Sequence, residues 1–402
     1  MNSNFSTFNT EHVNTLFEPI ISINRKSIIG YESILKKAFE STVIKSKNLQ
    51  SPEIQNFCLE EILNHFSLSP NKHKLLFLSL DFSFKNRNSL ELSDAVLLLS
   101  FLTRTANKYK IPHENIVIEL LESGQKNMNV LSEIIEIYKK QGFLIALDDF
   151  GKGYSNLDRI AVLKPNIVKI NSSLVKNIEQ CMHKQEVFKA ITGLSRRIGA
   201  VVVAKGIENK NEAVKCLELR ADFLQGSFFS VPNSDSSSYI NAKIESLYIE
   251  FKNQILFNLE VRQNRTTFLL NKLSHIKSII STSNNLEDSL NYIVNSNNFI
   301  EAVYVLDSTG KQISSTVISP FIKCCHNRIL FSPALQNSDH SLKLYYYKIK
   351  SGESDLHITE PYISNATGNR CSTLSCITDN DLILCIDIAE SSDESNFSLS
   401  TV

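Results

Sequence analysis

The chain has 402 residues, of which 42% are hydrophobic and 21% charged, and its 42 basic and 42 acidic side chains give a formal net charge of zero. That length accommodates two or three domains, and the composition is that of a globular protein. A balanced charge excludes the broad basic field that binds DNA or RNA polymers, and no run is apolar for long enough to span a bilayer. The opening stretch, residues 1–14, is largely polar and reads as a flexible terminus. The first twenty residues lack a basic segment followed by an apolar core, so no export signal is read. With no such signal, the eight cysteines are expected to be reduced thiols of a cytoplasmic protein.

Strands are expected at Phe17–Ile23 and Ile28–Leu35, with a turn at Asn24-Arg25-Lys26. Ile54, Phe57, Cys58, Ile62 and Phe66 form a helical stripe. Then come a short apolar strand at Leu75–Leu80, a helix around Ser93–Tyr109 and a strand at Ile116–Glu119. Val130, Leu131, Ile134, Ile135 and Tyr138 mark another helix, with Gly142 as its stop. The remaining strands of this region are expected at Phe143–Leu147, Ile167–Ile170, Ala200–Ala204 and Ala221–Phe229, with a helix through Val187–Ile198. Buried strands alternating with amphipathic helices in this way point to an α/β fold, a TIM-like (β/α)8 barrel over residues 15–232. An open doubly wound sheet is the alternative, but no glycine-rich nucleotide fingerprint accompanies it.

After Pro232 the texture changes. Residues 233–284 read as a linker and long connector helices, with apolar faces at Ile240, Ile244, Leu247, Phe251, Ile255 and Leu259, and at Leu269, Leu273, Ile276 and Ile280. Such a face suits either packing on the chain's own barrel or a homodimer contact. Residues 285–390 read as a smaller α+β domain. A hairpin is expected around Asp307-Ser308-Thr309-Gly310, flanked by Ala302–Leu306 and Lys311–Ser315, with further strands at Leu342–Ile349, Ile358–Ile363, Ser372–Thr378 and Leu382–Ile388. The Ser-rich end, residues 391–402, is expected to be disordered. Cys324-Cys325-His326 and Cys371 with Cys376 lack paired metal-ligand spacing, so buried small hydrophobes are the ordinary reading.

The segment Ile145–Leu157 carries the chemistry. Asp148 and Asp149 follow a buried strand, and Gly151 and Gly153 permit a tight loop. Adjacent carboxylates at a strand end suit hard divalent cations, while Asp and Gly are also ordinary turn residues. The full string resembles the DDFGxGxSxL loop of the EAL family of cyclic di-GMP phosphodiesterases. Tyr31-Glu32-Ser33-Ile34-Leu35 corresponds to the name-giving motif, Glu119-Leu120-Leu121-Glu122 to Glu-x-Thr-Glu, Lys169-Ile170-Asn171 to Lys-Ile-Asp, and Gln225-Gly226 to the final Gln-Gly. The resemblance covers residues 15–232. The smaller domain resembles PAS- or Cache-like sensory modules, and more closely the module that follows the EAL domain in some Bacillus-type proteins. Thr359–Ser364 and Asp387 contribute to that likeness.

The resemblance implies hydrolysis of cyclic di-GMP to the linear dinucleotide by two Mg²⁺ or Mn²⁺ ions. It implies Glu32, Glu119, Asp148 and Asp149 as metal ligands, Lys169 and Glu208 as catalytic residues, and Glu18, Lys36, Lys205 and Gln225 as ligand-binding positions. Departures from the family pattern are equally specific. Ser79 stands for a metal-ligating Asn, Asn171 for an Asp and Lys205 for a ligand Glu, while Glu18 replaces a Gln and Lys36 an Arg that would fork onto phosphate. Like unit charges about 4 Å apart repel by about 4 kcal/mol at an effective dielectric near 20, and a dication doubles that. Lysine at position 205 is therefore expected to weaken metal binding badly. Three functions remain open: a cyclic di-GMP receptor with impaired or absent hydrolysis, a working metal-dependent phosphodiesterase, and a nucleotide-free protein-interaction domain. The electrostatics favour the first. Lys205 either holds a phosphate or pairs with Asp148 or Asp149 and closes the site.

Overall fold

The computed structural model describes residues 13–37, 43–44, 52–80, 92–121, 128–152, 157–230, 236–282, 284–324, 329–352 and 354–389. The chain divides into two compact units, residues 1–257 and 258–402.

The first unit is a closed barrel. Its elements are β1 (Val13–Ser22), β2 (Ser27–Lys37), β3 (Val43–Ile44), α1 (Pro52–Leu68), β4 (Leu75–Ser79), α2 (Leu92–Lys108), β5 (Ile116–Leu121), α3 (Met128–Lys140), β6 (Leu144–Phe150), α4 (Leu157–Leu163), β7 (Ile167–Ile170), α5 (Ser172–Val175), α6 (Met182–Arg197), β8 (Val201–Lys205), α7 (Lys210–Glu218) and β9 (Phe223–Gln225). Strands β2, β4, β5, β6, β7, β8 and β9 run parallel, and β1 closes the ring antiparallel to both β2 and β9. The reversal follows from the short turn between β1 and β2, where Lys26 takes φ 48°. A connection that tight joins only antiparallel strands. The barrel expected from strand and helix alternation is therefore present, with one strand reversed.

Helices α1 and α3 lay their apolar stripes on the barrel, through Cys58, Leu59, Ile62 and Phe66 and through Leu131, Ile134, Ile135 and Tyr138. Inside the ring, Ile20, Phe77, Val117, Ala146, Ile167 and Val203 form a separate apolar layer. Gly30 occupies the same layer on β2, where a Cβ would lie 2.7 Å from Leu75 Cβ and 3.1 Å from Phe77.

The strand expected at Ala221–Phe229 is shorter, ending at Gln225. Gly226 at φ +154° turns the chain into a single 3-10 turn, Ser227–Phe229. The Gln225 carbonyl then accepts from the amides of Gly206 at 2.8 Å and Ile207 at 3.0 Å. A Cβ at position 226 would sit 2.3 Å from Ile207 N, so only glycine fits this crossing.

Helix α8 (Ser236–Ser281) is continuous where sequence analysis expects several connector helices. Its Ile240, Ile244 and Leu247 pack into the barrel's own core, whereas Ile255 and Leu259 are exposed. Its Leu269, Leu273, Ile276 and Ile280 belong to the core of the second unit.

The second unit adds α9 (Leu286–Ser296), β10 (Ile300–Leu306), β11 (Val317–Ile318), α10 (Leu344–Lys350), β12 (Leu356–Ile358), β13 (Tyr362–Ile363), β14 (Arg370–Ile377) and β15 (Ile383–Ala389). These strands form an antiparallel sheet in the order β11-β10-β15-β14-β12, with β13 also paired to β14. One face is apolar: Val303, Val305, Leu374, Leu384 and Ile386 pack against α8 and α9. The opposite face carries Tyr304 and Cys385 under Tyr345, Tyr346 and Ile349 of α10.

Three expected strands of this unit are corrected. Leu342–Ile349 is not a strand, because residues 344–350 form α10. Its aromatic content suits a strand, but the buried positions Tyr345, Tyr346 and Ile349 follow helical spacing. Ile358–Ile363 is split into β12 and β13, because Pro361 has no amide hydrogen for the ladder. The turn at Asp307–Gly310 is present, but Lys311–Ser315 makes only isolated bridges. There Ser314 Oγ takes the Val305 amide at 3.0 Å in place of a backbone partner, and the strand paired to β10 is β11. Cys371, Cys376 and Cys385 are buried free thiols, as expected, while Cys325 and the two chain ends lie outside the described residues.

Candidate active site in the barrel

Side chains of a strand alternate between faces, so the residue two places beyond each member of the interior layer also points inward. Applied to the layer of Gly30, Phe77, Val117, Ala146, Ile167 and Val203, that rule gives Glu32, Ser79, Glu119, Asp148, Lys169 and Lys205. Phe223 leads likewise to Gln225. On the reversed β1, Glu18 lies beyond Ile20 and directly opposite Glu32. A second, polar ring thus lies on the apolar one, at the C-terminal ends of the parallel strands.

Lys169 is fully buried on β7 and bridges two carboxylates, Glu32 Oε2 at 2.6 Å and Glu119 Oε1 at 2.5 Å. Ser79 donates its hydroxyl to the other Glu119 oxygen at 2.7 Å. Gln225 donates to both Glu18 at 2.7 Å and Glu32 at 2.6 Å. Lys205 clasps both oxygens of Asp148, at 3.0 and 2.9 Å, and lies 3.6 Å from Glu32 and 3.9 Å from Asp149.

Asp149 owes its position to a bulge. Leu147 pairs with Val168 but Phe150 with Ile170, so β6 carries an extra residue, and Asp149 takes φ 57°. Such a bulge redirects side chains. Asp148 turns into the cluster, and Asp149 accepts from Asn171 Nδ2 at 2.8 Å. Asn171 itself caps α5 by accepting the Ser173 amide at 2.9 Å. The capping role was available in the sequence Asn171-Ser172-Ser173 but was not read there. The Ser79–Glu119 bond was also missed.

Four carboxylates in this ring, with Asp149 beside them, face two lysines. Burial and the neighbouring Glu32 charge push the Glu119 carboxyl up to about 7. Burial also acts on Glu32, but Lys169 and Lys205 outweigh it and hold that carboxyl at about 2. Glu18 is raised, chiefly by burial. Both lysines lose some affinity for the proton through burial, yet the surrounding carboxylates raise both overall. Glu119 therefore carries the cluster's surplus negative charge. Its folded pKa lies above its unfolded value, so its contribution to stability is full below the ordinary carboxylate range and is lost as pH rises toward 7. Barrel stability is expected to fall across that interval. Glu119→Gln should flatten the dependence in urea titrations at several pH values, and an unchanged slope would contradict the assignment.

Glu32, Glu119 and Asp148 bring one oxygen each within 4.8 Å of one another, a donor set that could hold a divalent cation. The fit is partial. At Asp148 the place of such an ion is taken by the Lys205 ammonium, and at position 79 a hydroxyl donates a proton to Glu119 rather than offering lone pairs. The set suits one ion that displaces Lys205, and not two. Glu208 shares no hydrogen bond or ion pair with the cluster. Its carboxylate is 53% exposed and pairs with Lys176. Lys36 lies on β2, but its side chain and Glu122 fall outside the described residues.

The model of the EAL domain matches residues 5–232. The chain belongs to the EAL domain family. Cyclic di-GMP phosphodiesterase PdeA of Borreliella burgdorferi is 30% identical over 133 residues, 33% of this chain and 20% of that protein. Signaling protein YkoW of Bacillus subtilis is 29% identical over 136 residues, 34% of this chain and 17% of YkoW, so the chain spans under a quarter of either relative. The EAL-domain containing protein YkuI of B. subtilis is 22% identical over 94% of this chain and 95% of its own. Its crystal structure, a complex with c-di-GMP and calcium, superposes with a TM-score of 0.78 at 20% identity, covering 95% of this chain and 98% of YkuI. The fold of this EAL chain is thus shared over nearly its whole length. Among its described residues, no helix is long and apolar enough to cross a membrane.

Proposed function

We propose that this chain is a cyclic di-GMP signalling protein whose barrel binds the nucleotide with weakened metal binding and impaired hydrolysis. The observation that carries this reading is Lys205 seated on both oxygens of Asp148. Support for the ligand comes from the family and from the nucleotide bound by its relative YkuI. Of the two roles open to Lys205, the geometry favours pairing with Asp148 over reaching for a phosphate.

Glu32, Glu119 and Asp148 would hold a Mg²⁺ or Mn²⁺ ion, which when bound supplies Lewis acidity and an acidified water. Lys169 orients Glu32 and Glu119 and keeps Glu32 an anion, and Gln225 locks Glu32 from the other side. Asp149 is held by Asn171 instead of being free for a second ion. Coupling to a PAS-like domain formed by the second unit, homodimerisation and a cytoplasmic location accompany this proposal.

The test is a chromatographic assay with purified chain, cyclic di-GMP and Mn²⁺ or Mg²⁺, with a chelator control. The expected result is retained nucleotide with little linear product. Rapid, chelator-sensitive production of linear dinucleotide would make the chain a working phosphodiesterase. Neither product nor retention would leave a protein-interaction role.

A further inference from the structure

The formal charge of zero conceals a segregation of charge within the first unit. Seven connections lead into the parallel strands: the β1–β2 turn and the six links from a helix to the strand after it. All seven lie at the N-terminal ends of those strands, on the face opposite the polar ring. Taken with the last turn of each helix, residues 23–26, 65–74, 105–115, 137–143, 160–166, 194–200 and 215–222 hold thirteen lysines and arginines against three carboxylates. Two of those carboxylates are already paired, Asp222 with Arg196 and Glu218 with Lys215. In a chain with 42 charges of each sign, this end of the barrel is a concentrated basic field.

Helix dipoles account for part of it, because they stabilise a cation in the last turn of a helix. Some of these bases are also tied down. Lys108 pairs with Glu60, and Lys139 donates to the carbonyls of Leu163 and Lys164. Lys72, Lys110, Lys140, Lys164, Arg197 and Arg220 differ, since all six are exposed and form no ion pair with a described residue. Lys110, Lys164 and Arg220 stand just past the ends of α2, α4 and α7, with φ of 56°, 44° and 71°. Gly142 and Gly199 take the left-handed positions after α3 and α6, at φ 93° and 81°. Glycine costs least in that conformation, so backbone geometry does not call for lysine or arginine at the other three.

Apolar side chains stand among these bases. Leu68, at the end of α1, is 78% exposed, more than any other large apolar residue described in the first unit. Ile198 beside Arg197 is 43% exposed, and Val162 near Lys164 is 41% exposed. Leu68 is carried by the helix before β4, and the other two by the helices before β7 and β8, across the ring. Contact with all three takes a broad, deformable surface. Basic charge combined with apolar side chains is what peripheral membrane contacts use. Single-stranded nucleic acid stacks on aromatic rings, and none of these three exposed side chains is aromatic.

We propose that this face of the barrel docks on an anionic lipid bilayer, with the six exposed bases among the headgroups and Leu68, Val162 and Ile198 entering the interface. The polar ring then faces the aqueous phase, and docking does not depend on whether the barrel hydrolyses its nucleotide.

The test is co-sedimentation of the full chain with vesicles of phosphatidylglycerol and phosphatidylcholine in equal parts, and with vesicles of phosphatidylcholine alone. The chain is expected to sediment with the anionic vesicles at about 0.1 M salt and to be released at about 1 M, where screening confines charge to about 3 Å. Lys140→Glu, Lys164→Glu and Arg197→Glu combined should weaken partitioning about a hundredfold, since each basic residue near such a surface contributes about fivefold. Lys189→Glu, Lys343→Glu and Lys350→Glu combined change the net charge equally at exposed positions outside this face, and should leave partitioning nearly unchanged. Leu68→Ser with Ile198→Ser should weaken it several-fold while its salt dependence stays the same. Equal sedimentation with both kinds of vesicle or with neither, equal losses in the two charge-reversed variants, or tighter retention by polyuridylate RNA than by the anionic vesicles at the same salt would overturn the proposal.

Discussion

Lys205→Glu is expected to raise the affinity of the barrel for Mn²⁺ by about a hundredfold, the factor that corresponds to about 3 kcal/mol. The full electrostatic difference is larger. A dication about 4 Å from an ammonium is repelled by about 8 kcal/mol at an effective dielectric near 20, and the substitution also adds a carboxylate. Lys205 is 23% exposed and can swing toward solvent when an ion enters, so most of that repulsion is relieved in the wild type. What remains is the cost of breaking its two contacts with Asp148. Calorimetric titration of Mn²⁺ into the wild type, Lys205→Met and Lys205→Glu should give rising affinity in that order, with linear dinucleotide formed fastest by Lys205→Glu. Equal affinities in all three would show that Lys205 does not govern the metal site. Without metal, the same substitution adds negative charge to a cluster already in surplus. The apo barrel of Lys205→Glu is therefore expected to unfold more readily and to be rescued by Mn²⁺.

The contrast between the two units shows which parts of this fold were legible in its sequence. In the barrel, apolar alternation located the strands, and the motif residues Glu32, Glu119, Asp148, Lys169, Lys205 and Gln225 all fall in one polar ring, because each lies two positions beyond an interior apolar side chain. A pattern of period two is enough to place them together. What it does not show is a bulge. The alternation from Ala146 already carries Asp148 into the cluster, but the extra residue in β6 is what turns Asp149 toward Asn171. Partner choice was equally hidden. Lys205 had two carboxylates and a phosphate among its open partners, and only the geometry shows it on Asp148. Glu208 matches its motif but is half exposed and pairs with Lys176 instead of the cluster.

In the second unit local preferences misled. Three consecutive tyrosines suggest a strand, yet α10 forms because burying Tyr345, Tyr346 and Ile349 on the sheet outweighs that preference. Glu301, the single charged residue inside Ile300–Leu306, is the extra residue of a bulge in β10, which apolar periodicity does not reveal.

The second large effect concerns the lysine that makes the barrel ring possible. Lys169→Met is expected to destabilise the barrel by about 4 kcal/mol near neutral pH, the usual cost of removing one partner from a buried ion pair. Methionine fills a similar volume, so little of the loss comes from a cavity. It arises because Glu32 and Glu119, both buried, lose the ammonium that lies 2.6 and 2.5 Å from them. The sign of the pH dependence identifies the cause. In the wild type, the carboxylates raise the Lys169 pKa above its ordinary value, so that contribution is complete at all pH values below the ordinary lysine range. In the variant Glu32 joins Glu119 as a buried acid with a raised pKa, stable when protonated and costly when ionised. The deficit should then be small within the ordinary carboxylate range and grow as pH rises past neutrality. Urea unfolding read by hydrogen exchange in β5 and β7, which report on the barrel alone, measures it at both ends. A deficit of the same size at both would mean that packing, and not charge, is what Lys169 supplies.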